Sequence, residues 1–435
     1  MLIAFTVGNF LSFKERATFS MEAANITEFR DTNVFSDSGE SLLKSAVIYG
    51  ANASGKSNLF KAMNLMRTMV IGSSLQTRLD QEIPVQKFKL STECESEPSF
   101  FEVVFLKEGV RYRYGFELDP KTVRSEWLFW GKGGDSKETV GFTREESVFN
   151  MKNFGEGLGL DQKTRANALL LSVAAQFNGE ISTKVVNWFS AFSVVASVPG
   201  WVWDESLRGS TLTTANLKNE EYKKEILTFM RIADIDIHDL EVELMPDDFF
   251  PFPKSASENV KKWVRDAYLT RVFTRHQKYD SEKKAVSLER LQLESEESEG
   301  TKKLFAMAGP ILDSLKKGTV LAVDELDARM HPLITRFLVS LFNHCANSRC
   351  AQLIFATHDT NLLIECPFRR DQIWFTEKDK YGASDIYSLV EFKEPESGKK
   401  VRKDASFGKD YILGKYGAIP FIGDLKALLS HEDAR

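Results

Sequence analysis

The segment Gly50-Ala51-Asn52-Ala53-Ser54-Gly55-Lys56-Ser57 fits the pattern G-x-x-x-x-G-K-[ST], a constellation whose chemistry is the binding of phosphate. Glycines let the backbone wrap closely around phosphate. The loop amides and the start of a following helix attract anionic oxygen, Lys56 can reach terminal phosphates, and the Ser57 hydroxyl can hold magnesium. Gly50, Asn52, Ser54, Gly55, Lys56, Ser57 and Asn58 are therefore candidate nucleotide contacts. Far along the chain, Thr319-Val-Leu-Ala-Val-Asp324-Glu325 is an apolar run ending in two acids. Asp324 can hold magnesium through water, and Glu325 can polarise an attacking water as a general base. One carboxylate cannot easily do both. A third run, Ala351 to Thr357, ends at His358, which can contact a terminal phosphate or the attacking water; a histidine capping a surface turn is the competing reading. A fourth signal is Ser298-Glu299-Gly300-Thr301 ahead of a helical pattern. It reads either as a simple N-cap or as an anion site in which Ser298, Gly300 and Thr301 offer donors at a positive helix end.

These residues need elements to hold them. Ser45 to Tyr49 is a short apolar run, a buried strand ending at Gly50, and Leu59 to Val70 carries apolar residues at helical spacing. Strand, loop and helix then follow in the order a phosphate loop requires. Leu2 to Phe19 suggests a hairpin, with Gly8-Asn9 as the turn or bulge. Between Phe100 and Phe129, alternating stretches separated by Glu108-Gly109 and Asp119-Pro120 predict antiparallel strands with tight turns. Residues 131 to 160 are polar and glycine-rich. Helices are expected over Ala166 to Phe177, Ile181 to Phe192, Glu220 to Ile232 and Glu258 to Tyr268. No heptad pattern runs long enough for an extended coiled coil.

A chain of 435 residues with 43% hydrophobic and 27% charged side chains can bury a core without staples. Its four cysteines, with no C-x-x-C pair, do not read as a disulfide or zinc framework. The five histidines other than His358 lack metal-ligand spacing and read as structural or solvated. No apolar run approaches the ~18 residues needed to span a bilayer, and no signal peptide is visible, so a cytoplasmic protein without a membrane partner is expected. Net charge of −5 leaves DNA binding open without supporting it.

In the order phosphate loop, Ser-Glu-Gly-Thr, Asp-Glu strand, Asp327 loop and strand-end histidine, the chain resembles ABC-type ATPases of the chromosome-maintenance, RecF and overcoming-lysogenization-defect group. A closer likeness, to RloA-like and AbiL-like ATPases of abortive infection, is suggested by N-F-L-S-F-K at Asn9 to Lys14, S-E-G-T-K-K-L, T-H-D-T-N-L-L, and Y-G-A-I-P-F at Tyr416 to Phe421. The resemblance implies an α/β head with a mixed central sheet, an antiparallel β lobe and a helical insertion. It implies hydrolysis of ATP with Mg2+, catalysed through Lys56, Glu325 and His358. It also implies a homodimer, or a higher oligomer, in which Ser298, Gly300 and Thr301 meet the ATP held by the partner chain's Lys56 while Asp327 crosses the interface. A nuclease-like or toxic partner protein and a role in defence against phage follow from the closer likeness alone.

The domain reading is an N-terminal half of the head over 1–160, a mainly helical insertion over 161–285, and a C-terminal half with an extension over 286–435. Two departures stand out. Glu299 replaces a second glycine, and Leu11 stands where chromosome-maintenance heads often carry an arginine, leaving Lys14 as a substitute phosphate contact. Gln86 is the candidate glutamine switch, against a solvated loop glutamine. A RecF-like DNA-repair ATPase and an ATP-held assembly scaffold with little turnover are the rival functions.

Overall fold

The computed structural model describes residues 1–76, 82–134, 137–196, 212–233, 235–245, 270–365, 367–394 and 398–420. The helix expected over Glu258 to Tyr268 lies outside them. The chain opens with β1 (Leu2–Gly8) and β2 (Ala17–Ser20), paired antiparallel. Their connection is a loop wider than a two-residue turn, with Asn9 and Leu11 at left-handed φ of 45° and 51° and a bridge between Phe10 and Phe13. A hairpin of β3 (Val34–Asp37) and β4 (Glu40–Leu43) leads into β5 (Ser45–Tyr49) and the long helix α1 (Lys56–Gln76).

Next come β6 (Ser99–Lys107), β7 (Val110–Leu118), β8 (Val123–Lys132), β9 (Thr139–Glu145) and β10 (Val148–Asn150). These and the first hairpin form a seven-stranded antiparallel sheet in the order β10-β9-β8-β7-β6-β1-β2. The last two of its later strands fall in the polar 131–160 stretch. Helices α2 (Leu170–Gln176) and α3 (Glu180–Ala191) follow, then β11 (Ser193–Val195), α4 (Glu220–Ile232) and β12 (Asp239–Leu244). Among the elements that follow are β13 (Thr270–Tyr279), β14 (Ala285–Gln292), α5 (Glu299–Lys317), β15 (Val320–Val323), α6 (Pro332–Asn343), β16 (Gln352–Ala356), β17 (Ile373–Lys378), β18 (Ser384–Ser388) and α7 (Phe407–Ile412).

The central sheet runs β11-β15-β16-β5-β17-β18. Every neighbouring pair is parallel except the edge pair β17-β18, so the sheet is mixed. All residues of β5, β15 and β16 are buried, as expected of parallel strands covered on both faces. The period-2 alternation sorts their side chains into two cores. Ala46, Ile48, Ala322, Ile354 and Ala356 join α1, α2, α3 and the antiparallel lobe. Val47, Tyr49, Leu321, Val323, Leu353 and Phe355 join α4, α5, α6 and the C-terminal segment.

Residues 161–285 thus contribute helices, α2, α3 and α4 among them, but also β11 to the central sheet and β12 and β13 to a three-stranded sheet with β14. Within the antiparallel lobe Glu126, fully buried, accepts hydrogen bonds from Leu170 N at 2.7 Å, Leu171 N at 3.0 Å and the Tyr114 hydroxyl at 2.9 Å, with Arg144 at 3.7 Å. This carboxylate satisfies the orphan amides at the start of α2. No described helix is long and apolar enough to cross a membrane.

Candidate functional site

Because β5, β16 and β15 are parallel neighbours, their C-terminal ends lie along one edge of the sheet. That edge receives the phosphate loop after Tyr49, His358 just beyond β16, and Asp324-Glu325 at the end of β15. Open α/β sheets bind ligands at such an edge.

The loop is built tightly. A Cβ on Gly50 would lie 2.5 Å from Ser54 Oγ, Thr376 O and Thr376 Oγ1, and one on Gly55, at φ +122°, would lie 2.6 Å from Ser384 Oγ. Only glycine fits at either place. Behind the loop stands a brace of hydroxyls: Ser54 and Thr376 share a 2.6 Å hydrogen bond, Ser384 donates to Ser54 O at 2.6 Å, and Asn58 donates to Ser12 Oγ at 2.7 Å. Next to Tyr49, whose ring centroid is 5.4 Å from its own, Tyr411 donates its hydroxyl to Ala418 O at 3.1 Å. Asn52 is exposed at the mouth of the loop.

Lys56, 5% exposed, folds back to donate to Gly50 O at 2.7 Å and Ala51 O at 3.0 Å. Burial lowers its pKa, opposed by the charges of Asp324, Glu325 and Asp327. Asp324 is 2% exposed, and burial raises its pKa against a hydrogen bond from Ser57 and the charge of Lys56. Its Oδ1 is buried without a hydrogen-bond partner. A hydroxyl and a carboxylate with a free buried oxygen make a hard oxygen set that fits magnesium. Glu325 takes a left-handed φ of 51°, and backbone held in such a region clusters at functional sites.

The His358 N–H donates to Asp327 Oδ2 at 3.3 Å, while Asp327 Oδ1 is buried without a partner. The His358 ring is pushed below its usual pKa, first by burial and then by Lys56. It is therefore neutral at pH 7, able to accept or donate one hydrogen bond. The cluster joins Lys56, Ser57, Asp324, Glu325, Asp327 and His358 in one electrostatic neighbourhood.

Ser298 caps α5: its Oγ accepts from Thr301 N at 3.1 Å and lies 2.8 Å from Thr301 Oγ1. Ser298, Gly300 and Thr301 line an open groove of about 710 Å³ together with Arg329, Met330 and His331. No residue of the phosphate loop is in its wall. Gln86 is exposed, and its carbonyl accepts from Leu11 N at 2.8 Å, next to Ser12. That places its backbone against the β1–β2 connection. Lys14 instead pairs with Glu93 at 3.4 Å. Sequence reasoning did not single out Thr376, Ser384 or Tyr411, since a hydroxyl brace has no spacing signature. It also passed over Lys303 of α5, whose pKa is lowered by burial against the charges of Glu325, Asp324 and Asp327. Of the histidines read as structural, His331 caps α6 by accepting from Leu333 N at 3.2 Å.

Fold and edge together define an α/β phosphate-loop domain with a mixed central sheet and an antiparallel lobe. Residues 45–365 match the family described as "AAA domain, putative AbiEii toxin, Type IV TA system", and the chain belongs to that family. No curated protein matches the chain. Solved structures similar to it include the SMC head domain from Thermotoga maritima, 14% identical with a TM-score of 0.39, covering 89% of this chain and 98% of that one. Another is an Smc head domain with an extended coiled coil, bound to the C-terminal domain of ScpA and derived from Pyrococcus furiosus. It is 11% identical with a TM-score of 0.37, covering 89% of this chain and 96% of that one.

Proposed function

We propose that the chain binds ATP with magnesium and hydrolyses it as a homodimer, two nucleotides being held between the phosphate loop of one copy and Ser298, Gly300 and Thr301 of the other. The observation that carries this reading is the placement of the donors at the start of α5, in a groove with no phosphate-loop residue of the same chain. A second copy related by two-fold symmetry completes both sites at once.

In this reading the amides of 50–58 and Lys56 cradle the phosphates, and Lys56 exchanges its bonds to Gly50 O and Ala51 O for phosphate oxygen. Ser57 and Asp324 hold magnesium, which when bound neutralises charge on the phosphates. Glu325 takes the proton of the attacking water, and neutral His358 orients that water or the terminal phosphate. Asp327, anchored on the His358 backbone, places its loop at the interface with the partner copy, and Gln86 serves as the glutamine switch.

The biological reading is a regulator in an abortive-infection system, whose ATP-set dimer state controls a nuclease-like or toxic partner protein in the cytoplasm. Its support is the family, whose description names a putative toxin and a toxin–antitoxin system. The test compares wild type with Glu325→Gln for ATP turnover, with and without DNA, while light scattering follows mass. Wild type should turn ATP over, and the variant should lose at least about a hundredfold of that rate and accumulate as an ATP-dependent dimer. Equal turnover in the two proteins, or a mass indifferent to ATP in both, sinks the mechanism. Strong stimulation by DNA would move the biological reading to repair.

A further inference from the structure

Glu299 is a difficult residue for the proposed site. It is the first residue of α5, between the Ser298 cap and Gly300, so its carboxylate sits where a helix end would otherwise attract the phosphate of a nucleotide. A triphosphate approaching that tip meets a like charge.

The structure shows where the carboxylate is held. Lys302, one turn along the same helix, pairs with Glu299 Oε1 at 2.8 Å, and Arg329 Nη1 pairs with Glu299 Oε2. Lys302 first and then Arg329 hold the Glu299 carboxyl below its usual pKa, so it stays ionised. Lys302 is a local partner that any helix could supply. Arg329 comes from a different element, the loop between β15 and α6 that also carries Asp327.

That loop abuts the tip of α5. Arg329 takes a left-handed φ of 63°, and its carbonyl oxygen would lie 3.0 Å from a Cβ at Gly300. Gly300 therefore lets the backbones come together, and Arg329 closes the gap with an ion pair. At the other end of the loop, Asp327 holds the His358 N–H at 3.3 Å. One short segment thus touches the donors aimed at a second copy and the histidine beside its own phosphate loop.

We propose that Arg329 is a positioning residue. It draws the Glu299 carboxylate off the tip of α5, leaving the Ser298, Gly300 and Thr301 donors to the partner copy's ATP, and it ties that tip to the Asp327–His358 segment of its own site. This rests on the homodimeric reading given above. Without Arg329 the carboxylate keeps only its same-helix partner Lys302 and is no longer tied to the Asp327 loop, so it is freer to meet the triphosphate, and assembly around ATP weakens while the capture of ATP by a single chain does not.

The experiment uses the full chain as wild type, Arg329→Ala, Arg329→Lys, Glu299→Gln and the double variant Glu299→Gln/Arg329→Ala. Binding of a fluorescent ATP analogue to the dilute chain reports the phosphate loop. Sedimentation with ATP and magnesium reports the dimer. Arg329→Ala should weaken the ATP-dependent dimer about tenfold, the usual scale of one mispaired charge at an interface, with analogue binding within about threefold of wild type. Arg329→Lys should keep part of the dimer affinity. The double variant should recover to the level of Glu299→Gln alone, which a merely misfolded loop could not do. If wild type forms the dimer but the double variant stays as weak as Arg329→Ala, the inference is overturned and the homodimeric reading stands. If wild type forms no ATP-dependent dimer while binding the analogue, both fall.

Discussion

Replacing Gly50 by alanine tests the phosphate loop with the smallest change that its geometry forbids. The added carbon would lie 2.5 Å from three oxygens, Ser54 Oγ, Thr376 Oγ1 and Thr376 O, about 0.9 Å short of the 3.4 Å at which ordinary contact begins. Neither hydroxyl can simply rotate away, because they bond each other at 2.6 Å. The third oxygen is backbone of β17, which pairs with β5. Relief must therefore come from the loop moving outward by most of an ångström, breaking the Lys56 bond to Gly50 O. Overpacking of this kind costs ~1–3 kcal/mol, which in a chain of 435 residues shifts the melting temperature by only a few degrees. Phosphate binding suffers far more, since an ångström of misplacement can cost ~100-fold. Calorimetric titration with ATP and magnesium, alongside a melting curve, reads both quantities. The variant should melt within a few degrees of wild type yet bind at least about a hundredfold more weakly, and ATP should no longer raise its melting temperature. Binding within about threefold of wild type would refute the steric account of the loop.

Two further perturbations address stability and charge. Glu126→Ala removes the partner of Arg144 and of two amides at the start of α2, and it should cost ~3–5 kcal/mol, read as a fall in the urea midpoint; a loss under ~1 kcal/mol would show that the buried pair does not hold the helix to the lobe. The folded pKa of His358 lies below 6.5 because of burial and Lys56, so between those two values the unfolded chain binds more protons. Its contribution to stability is present above pH 6.5 and is lost as pH falls through the folded value. His358→Gln should therefore lose less melting temperature than wild type between pH 7.5 and pH 5.5, and an equal loss would contradict the assignment.

The parts of the site that announce themselves in sequence are those where chemistry dictates both type and spacing. Gly50 to Ser57, Asp324-Glu325 and His358 each follow a short apolar run, and all three runs are parallel strands of one sheet. Glu220 to Ile232 was legible as a helix from its periodicity and has those bounds. Elsewhere tertiary packing decided. The strands β9 and β10 arise in a polar, glycine-rich stretch because β8 offers them an edge, and one of their glycines, Gly141, lies beneath the Trp130 ring. β11 has three residues and is a strand only because β15 pairs with it. The ion pair of Glu299 with Arg329 joins positions that no local pattern connects.

What the pattern could not convey is how the phosphate loop depends on both ends of the chain. Its floor is Thr376 and Ser384, and its flank is Ser12. Ser384 N also donates to Ser12 O at 2.7 Å, so the N-terminal and C-terminal braces are themselves joined behind the loop. Gln352, wholly buried, extends the join by accepting from Leu2 N at 2.6 Å and donating to Leu2 O and Leu43 O. The two cores meet at these bonds: Ala46, Ile48 and Trp374 belong to one, and Val47, Tyr49 and Phe375 to the other. A ligand held by the loop is therefore linked to the packing of both cores, because opening either one withdraws a brace. A short motif early in the chain is thus held by partners more than three hundred residues away, and those braces are hydroxyls and amides that hold shape rather than groups that do chemistry.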